Sequence, residues 1–445
     1  MATVESFRAW HYEPHQVSLE RVVAPPYDVI SRTYQEELYA RDSHNVIRLI
    51  LGQATPEEIK QDERYEAARK HLEAWTKENV LVRDQTPAYY LQETTYSHPY
   101  RNTKLTRLAL FGRLKLEAFG SGSVYPHEKT HASAKEDRMK LLRATHTNFS
   151  PIFLIHQDSE GKVDKIRKQL QGEIPLFDFS DDQGAAHRVW AVSATNAIQN
   201  VAGLFRDQKV FIADGHHRYE TALRFASETW VSQKSGGNYA RGCDYVMSAF
   251  VRFSDPGLLI LPIHRIVLPS VSFDQMQLIE ALKRNFILHS VTRSVLEKIS
   301  EGTAQDGFGL AFSEDECYVL ELKDQMAAQR QMPEGRARAW YGLDVNLVSY
   351  LILEPLLGIQ SAHLEKSVRY SPSSEEVFNA LKKKEAALAF LIRPTNVERI
   401  KEICESGELM PQKSTYFYPK FSSGLLMYRH SAENRTDSSS GEEHA

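Results

Sequence analysis

The sequence predicts an α/β protein with mixed sheets, and three observations predict it. Apolar runs of strand length, Ile152-Phe153-Leu154-Ile155, Val189-Trp190-Ala191-Val192 and Val210-Phe211-Ile212-Ala213, recur along the chain, with a helical connection between the last two. Tyr89 to Tyr96 and Leu105 to Glu117 are rich in aromatic, threonine and aliphatic residues and flank a loop bearing Pro99 and Asn102, the pattern of a hairpin. At 445 residues the chain exceeds the roughly 250–300 residues at which a single core stops growing, so two or three domains are expected.

Hydrophobic residues make up 42% of the chain and charged residues 25%, which excludes collagen, a coiled-coil array and a wholly disordered chain. A formal net charge of −4, with no long Lys/Arg cluster, gives no global attraction to nucleic acid or anionic lipid. No apolar run approaches the roughly 18 residues of a spanning helix, and the start has no basic segment followed by an apolar stretch. Cys243, Cys317 and Cys404 are widely spaced and fit no paired motif, as expected of a reduced, cytoplasmic protein.

In chain order, Val22 to Ile30 reads as short strands and loops, because Pro25 and Pro26 fix an extended backbone before Tyr27 and Asp28. After the apolar stretch Asn45 to Gly52, Ile59, Tyr65, Ala68, Leu72 and Trp75 lie near helical spacing and predict an amphipathic helix from about Pro56 to Glu78. The hairpin follows. Gly120 to Asn148 is polar and breaks both periodicities while holding His127, His131 and His146, with His156 just beyond; long polar segments of this kind tend to carry function. Within it Lys135, Asp137, Arg138, Lys140 and Arg143 read as a solvated, mostly basic helix face.

Tyr219, Ala222, Leu223, Ala226 and Trp230 share one face of a helix from Tyr219 to about Val231, and strands are expected at Tyr245–Val251 and Leu258–Val267. From about Val271 a second α/β unit begins, with strands at Phe308–Phe312, Tyr318–Leu322 and Ala387–Ile392. Leu343 to Ile359 reads as a buried helix ending at Gly358. The tail Ser431 to Ala445 is too rich in serine and glutamate to offset its ordering entropy and is expected to be disordered.

The strongest chemical signal is Ala213-Asp214-Gly215-His216-His217-Arg218-Tyr219, an apolar strand running through a glycine into a helix start. Free N–H groups at a helix N-terminus attract anions, and Gly215 allows close approach, so the pattern suits phosphate. Arg218 and the two histidines add donors, and Asp214 suits either a cap or a metal. His127-Glu128-Lys129-Thr130-His131 matches the His-Glu-x-x-His zinc pattern, although Pro126 and the polar residues after it argue against the helix that pattern needs. Without zinc, Glu128 reads as a positioned carboxylate base. His264-Arg265, polar beside an apolar strand, needs a partner. Met410-Pro411-Gln412-Lys413-Ser414-Thr415 joins a rigid turn to a lysine and two hydroxyls, which suits a small anion or the start of a strand.

Five ordered segments resemble the prokaryotic family known as domain of unknown function 1015: Val23 to Ile30, His127 to Thr130, Ala213 to Tyr219, Leu261 to Arg265 and Met410 to Thr415. More distantly, His127-Glu128, Pro151-Ile152 and Asp214 to Arg218 resemble the ParB and sulfiredoxin superfamily, including its free serine kinases. The resemblance implies a ParB/sulfiredoxin-like nucleotide-binding core over 105–268, an N-terminal α/β extension over 1–104 contributing to it, a C-terminal α/β domain over 269–430 and a tail over 431–445. It implies Glu128 as catalytic base and Gly215, His217 and Arg218 on nucleotide phosphates. It places magnesium with ATP or ADP at Asp214, and His127, Thr130, Asp28 and Lys413 near a small-molecule substrate. His216 stands where sulfiredoxins carry a catalytic cysteine, so their chemistry is not expected.

The function expected is nucleotide-dependent phosphoryl transfer to a small hydroxylated metabolite, serine-kinase-like. A ParB-like nucleotide switch without turnover and a zinc hydrolase stay open as alternatives. A helix-turn-helix and basic surface for DNA are not found, so nucleic acid is not an expected partner.

Overall fold

A computed structural model of the chain describes residues 2–53, 62–120, 122–128, 130, 132–206, 208–232, 242–303, 307–360 and 364–430. The expected tail 431–445 and the first part of the helix expected from Pro56 lie outside the described residues. The chain divides into two units: one formed by residues 1–126, 130–258 and the segment from Pro419, the other by His127–Lys129 and Leu259–Tyr418. The N-terminal 1–104 lies within the first unit, and the main segment of the second runs over Leu259–Tyr418.

The first unit is built on a mixed sheet of nine strands among the described residues. Across it lie Val124–Tyr125, Val210–Asp214, Ile152–His156, Tyr245–Arg252, Lys104–Lys115, Tyr89–Ser97, Ala186–Val192 and Phe177–Ser180, with Val4–Glu5 also paired to Lys104–Lys115. Two pairings are parallel, Val210–Asp214 with Val124–Tyr125 and Tyr245–Arg252 with Ile152–His156; the others are antiparallel, including the expected hairpin. Buried on both faces, the central strands read as continuous apolar runs, whereas Ala186–Val192 alternates buried and exposed residues. Leu110, Ile152, Leu154, Val210, Ile212, Tyr219 and Phe250 share one core cluster. Phe250 is fully buried with its ring centroid 4.5 Å from that of Phe205, a burial that stabilises by about 1.5–3 kcal/mol.

The polar stretch before Asn148 holds a helix, Ala132–Thr145, which packs against His216–Ser232 and Glu63–Lys77. Its expected solvated face is only partly that. Arg138 is 8% exposed, lies 3.9 Å over the Tyr27 ring centroid and donates to the Ile50 carbonyl, so an apolar position is filled by a paired cation. Around Pro25 and Pro26, Leu19–Val22 forms one helical turn and Tyr27–Val29 a 3-10 turn where short strands and loops are expected; the prolines themselves stay non-helical.

The second unit holds an antiparallel six-stranded sheet in the order Phe286–Val291, Cys317–Leu322, Phe308–Ala311, Leu388–Leu391, His264–Val267, Val368–Ser371. Its core gathers Ile266, Leu296, Ile299, Val377, Phe378 and Leu391. The strand expected over Leu258–Val267 breaks at Pro262, which has no N–H for a ladder. Leu259–Leu261 instead pairs with Tyr416–Tyr418, and His264–Val267 joins the larger sheet. The helix expected over Leu343–Ile359 is Asp344–Val348 followed by a wider π turn, Ser349–Leu353, and stops before Pro355. Gly358 at φ +67° closes the segment, with Ile359 N–H donating to the Leu353 carbonyl at 2.8 Å. No helix among the described residues is long and apolar enough to cross a membrane.

Candidate functional site

The expected strand-to-helix turn is present in the first unit. Val210–Asp214 runs antiparallel to Ile152–His156, and its register shifts between Ile212 and Asp214, a bulge that re-aims Asp214. Gly215 follows at φ +94°, a conformation side chains rarely adopt, and the helix His216–Ser232 starts with Tyr219 N–H on the Gly215 carbonyl at 2.9 Å. Tyr219, fully buried, anchors this start by donating its hydroxyl to the Glu117 carbonyl at 2.9 Å.

Asp214 is the electrostatic centre of the turn. One oxygen accepts from Arg218 Nη2 at 2.7 Å and the other from Lys420 Nζ, and all three side chains are at most 15% exposed. Arg218 also donates through Nη1 to the Pro151 carbonyl, tying the helix to the chain before Ile152. Burial by itself would raise the Asp214 carboxyl, but the Lys420 and Arg218 cations outweigh it and hold the group below the usual carboxylate range. Because the folded value is the lower one, this pairing stabilises the fold fully above the ordinary aspartate range near ~4 and is lost as pH falls through the depressed value. Acid titration of wild type should thus show a stability loss below about pH 4 that Asp214→Asn lacks; identical acid limbs contradict the pairing.

Gly215 and Arg218 are coupled sterically as well. A Cβ on Gly215 would stand 3.0 Å from Arg218 Nη2, and the left-handed backbone adds strain. Gly215→Ala is expected to lower stability by about 1–3 kcal/mol in a denaturant titration. An unchanged midpoint contradicts this geometry.

Glu128 belongs to the second unit. Its Oε1 accepts from the amides of Ser414 and Thr415 at 3.1 and 3.2 Å and from the Thr415 hydroxyl at 3.1 Å. Lys413, in the left-handed region at φ +59°, makes the turn that aims both amides at one oxygen. His127 is 1% exposed in its side chain; its Nε2 faces the Thr415 hydroxyl at 2.8 Å, and its carbonyl accepts from Met410 N–H at 2.7 Å. Of the two hydroxyls read as suited to a small anion, that of Thr415 holds the Glu128 carboxylate, whereas that of Ser414 donates to the Pro411 carbonyl at 2.5 Å. Arg265 is buried beside the Tyr370 ring; burial takes its guanidinium down to about 10, against the pull of Tyr370, Glu128 and Asp344. Its neighbour His264 accepts Ile392 N–H on Nδ1 at 3.1 Å.

Thr130 donates to both oxygens of Glu220, at 3.0 and 2.9 Å, and Lys135 joins the same carboxylate at 2.7 Å. His216 is buried and His217 half-buried at the helix start, while Asp28 and Lys413 are exposed. His131, the second histidine of the zinc pattern, lies outside the described residues. Among the described residues no three His, Cys, Asp or Glu side chains converge as a metal ligand set. Lys420 is the site residue that sequence reasoning misses. Its local signal was a lysine directly before Phe421, in an aromatic run where burial of a charge requires a partner.

No curated protein matches the sequence. Among solved structures, a free serine kinase in complex with AMP aligns at 14% identity and TM-score 0.32, covering 66% of this chain and 83% of that one. A conserved hypothetical protein from Pyrococcus furiosus aligns at 15% identity and TM-score 0.32, covering 67% and 90%. A C-terminally truncated SbnI from Staphylococcus aureus aligns at 12% identity and TM-score 0.34, covering 67% and 81%. The family described as "Protein of unknown function (DUF1015)" matches residues 4–346, and the chain belongs to it.

Proposed function

We propose that the chain is a nucleotide-dependent phosphotransferase acting on the hydroxyl of a small metabolite, with a ParB/sulfiredoxin-like core that carries the Asp214–Arg218 turn. The observation that carries this reading is the buried clamp of Arg218, Asp214 and Lys420 at the start of a helix, behind a bulge and a left-handed glycine. Phosphoryl transfer needs positioning and charge neutralisation more than covalent chemistry, and two cations at the start of a helix supply both. Gly215, His217 and Arg218 take the phosphates.

Magnesium takes few protein carboxylates and completes its shell with phosphate oxygens and water, so the Asp214 carboxylate fits it. When bound, the ion would neutralise phosphate charge. Asp214 would hold the ion, and Lys420, which donates to the same carboxylate, would add its own positive charge at the turn. By the resemblance of its motif, Glu128 accepts the hydroxyl proton while the acceptor oxygen bonds to phosphorus and the nucleoside diphosphate leaves. His127, Thr130, Asp28 and Lys413 are proposed near the substrate, and His216 beside the reacting groups.

A second reading, a nucleotide switch without turnover, is favoured by the commitment of Glu128 Oε1 to three donors, which gives that carboxylate a structural purpose of its own. Incubation with ATP, magnesium and small hydroxy acids, followed by phosphorus NMR, separates the two. A new phosphomonoester signal is expected. Tight nucleotide binding with no acceptor phosphorylated favours the switch.

A further inference from the structure

Pro25 and Pro26 lead into a turn whose inward residue is Tyr27; Asp28 beside it is exposed. The Tyr27 ring lies under the Arg138 guanidinium, with Cζ 3.9 Å from the ring centroid. Tyr27, Arg138 and Arg218 line one cavity of about 60 Å³ in the first unit, together with Leu142, Phe149 and Val246. At roughly 10–15 Å³ per water-sized volume, that is room for about four to six such volumes, the scale of a small organic acid.

The wall chemistry is uneven. Leu142, Phe149 and Val246 supply apolar surface, Tyr27, Arg138 and Arg218 bring O–H and N–H donors, and Thr147, Asn148, Ser150 and Thr221 add further polar groups. Arg138 donates to Asp137 from Nε at 2.8 Å and from Nη2, and to the Ile50 carbonyl from Nη1 at 3.0 Å, and Asp137 is shared with Arg64 and Tyr65. Arg218 donates to Pro151 and Asp214. Each guanidinium has five N–H groups in a fixed fork, more than these contacts use. Burial pushes the Tyr27 phenol up, against the pull of Arg138 and Arg218, so it stays a protonated donor at neutral pH. A cavity that joins N–H and O–H donors to apolar surface fits a small ligand that carries acceptors on a short carbon skeleton.

We propose that this cavity binds a small hydroxylated carboxylic acid, its carboxylate held by Arg138 and Tyr27 and its hydroxyl end toward Arg218. Naming that acid the phosphoryl acceptor rests on the phosphotransferase reading; its binding does not. Arg218 is the link, since it belongs both to the cavity and to the turn.

The test is calorimetric titration of the full chain with L-serine, D-glycerate and glycerol, each without nucleotide, and with ATP separately. At least one acid is expected to bind and glycerol, lacking the carboxylate, is not. Tyr27→Phe keeps the ring on Arg138 and removes only the hydroxyl; it should weaken the acid at least tenfold and leave ATP affinity unchanged. Arg138→Lys keeps a cation beside Asp137 and should weaken the acid similarly, which covers the case of a misfolded Tyr27 variant. The proposal is overturned if neither acid binds the folded wild type, if glycerol binds as well as the acids, or if a folded variant binds the acid as tightly as wild type. Acid binding without ATP binding overturns the phosphotransferase reading and supports the cavity; ATP binding without acid binding does the reverse.

Discussion

Asp214→Ala is expected to destabilise the protein by about 3–5 kcal/mol, because it strands the largely buried Arg218 and Lys420 cations without their shared carboxylate. For a unit of this size that corresponds to a fall in melting temperature on the order of 10 °C, read by thermal unfolding followed by circular dichroism. Lys420→Met should lower stability less, because the Asp214 pair with Arg218 survives at 2.7 Å. If Asp214→Ala melts with the wild type, the clamp does not organise the turn, and the phosphate site built on it loses its foundation.

Glu128→Gln is expected to lower turnover by roughly 10²–10⁴-fold while leaving nucleotide affinity unchanged. The amide oxygen can still accept from Ser414 and Thr415, so the local turn stays in place and the missing quantity is proton acceptance. Steady-state kinetics with nucleotide titration reads both at once. Loss of nucleotide affinity in this variant, or full turnover, contradicts the role of base.

The parts of this structure that follow from local pattern were legible. Continuous apolar runs identify the central strands, the threonine- and aromatic-rich pair identifies the hairpin, and Asp-Gly before a helical face identifies the turn. What local pattern missed was carried by distant partners. Lys420 meets Asp214 across 206 residues, and Glu128 meets Ser414 across 286, so neither contact leaves a periodicity to read. The helix Ala132–Thr145 was legible as a charged face, but not its burial, because Arg138 fills a buried position that a hydrophobic pattern assigns to an apolar side chain. The single prolines Pro262 and Pro355 ended elements that apolar runs alone extend. At the first motif the sequence drew attention to Asp28, whereas the fold turns its neighbour Tyr27 inward.

The central claim is that Asp214 to Arg218, with Lys420, holds the phosphates of a nucleotide. Calorimetric titration of ATP with magnesium into wild type and Lys420→Met tests it most directly. Saturable binding to wild type is expected, weakened at least tenfold in the variant, because one of the two cations at the turn is removed. Absence of binding to the folded wild type, or equal affinity in the two proteins, would contradict it.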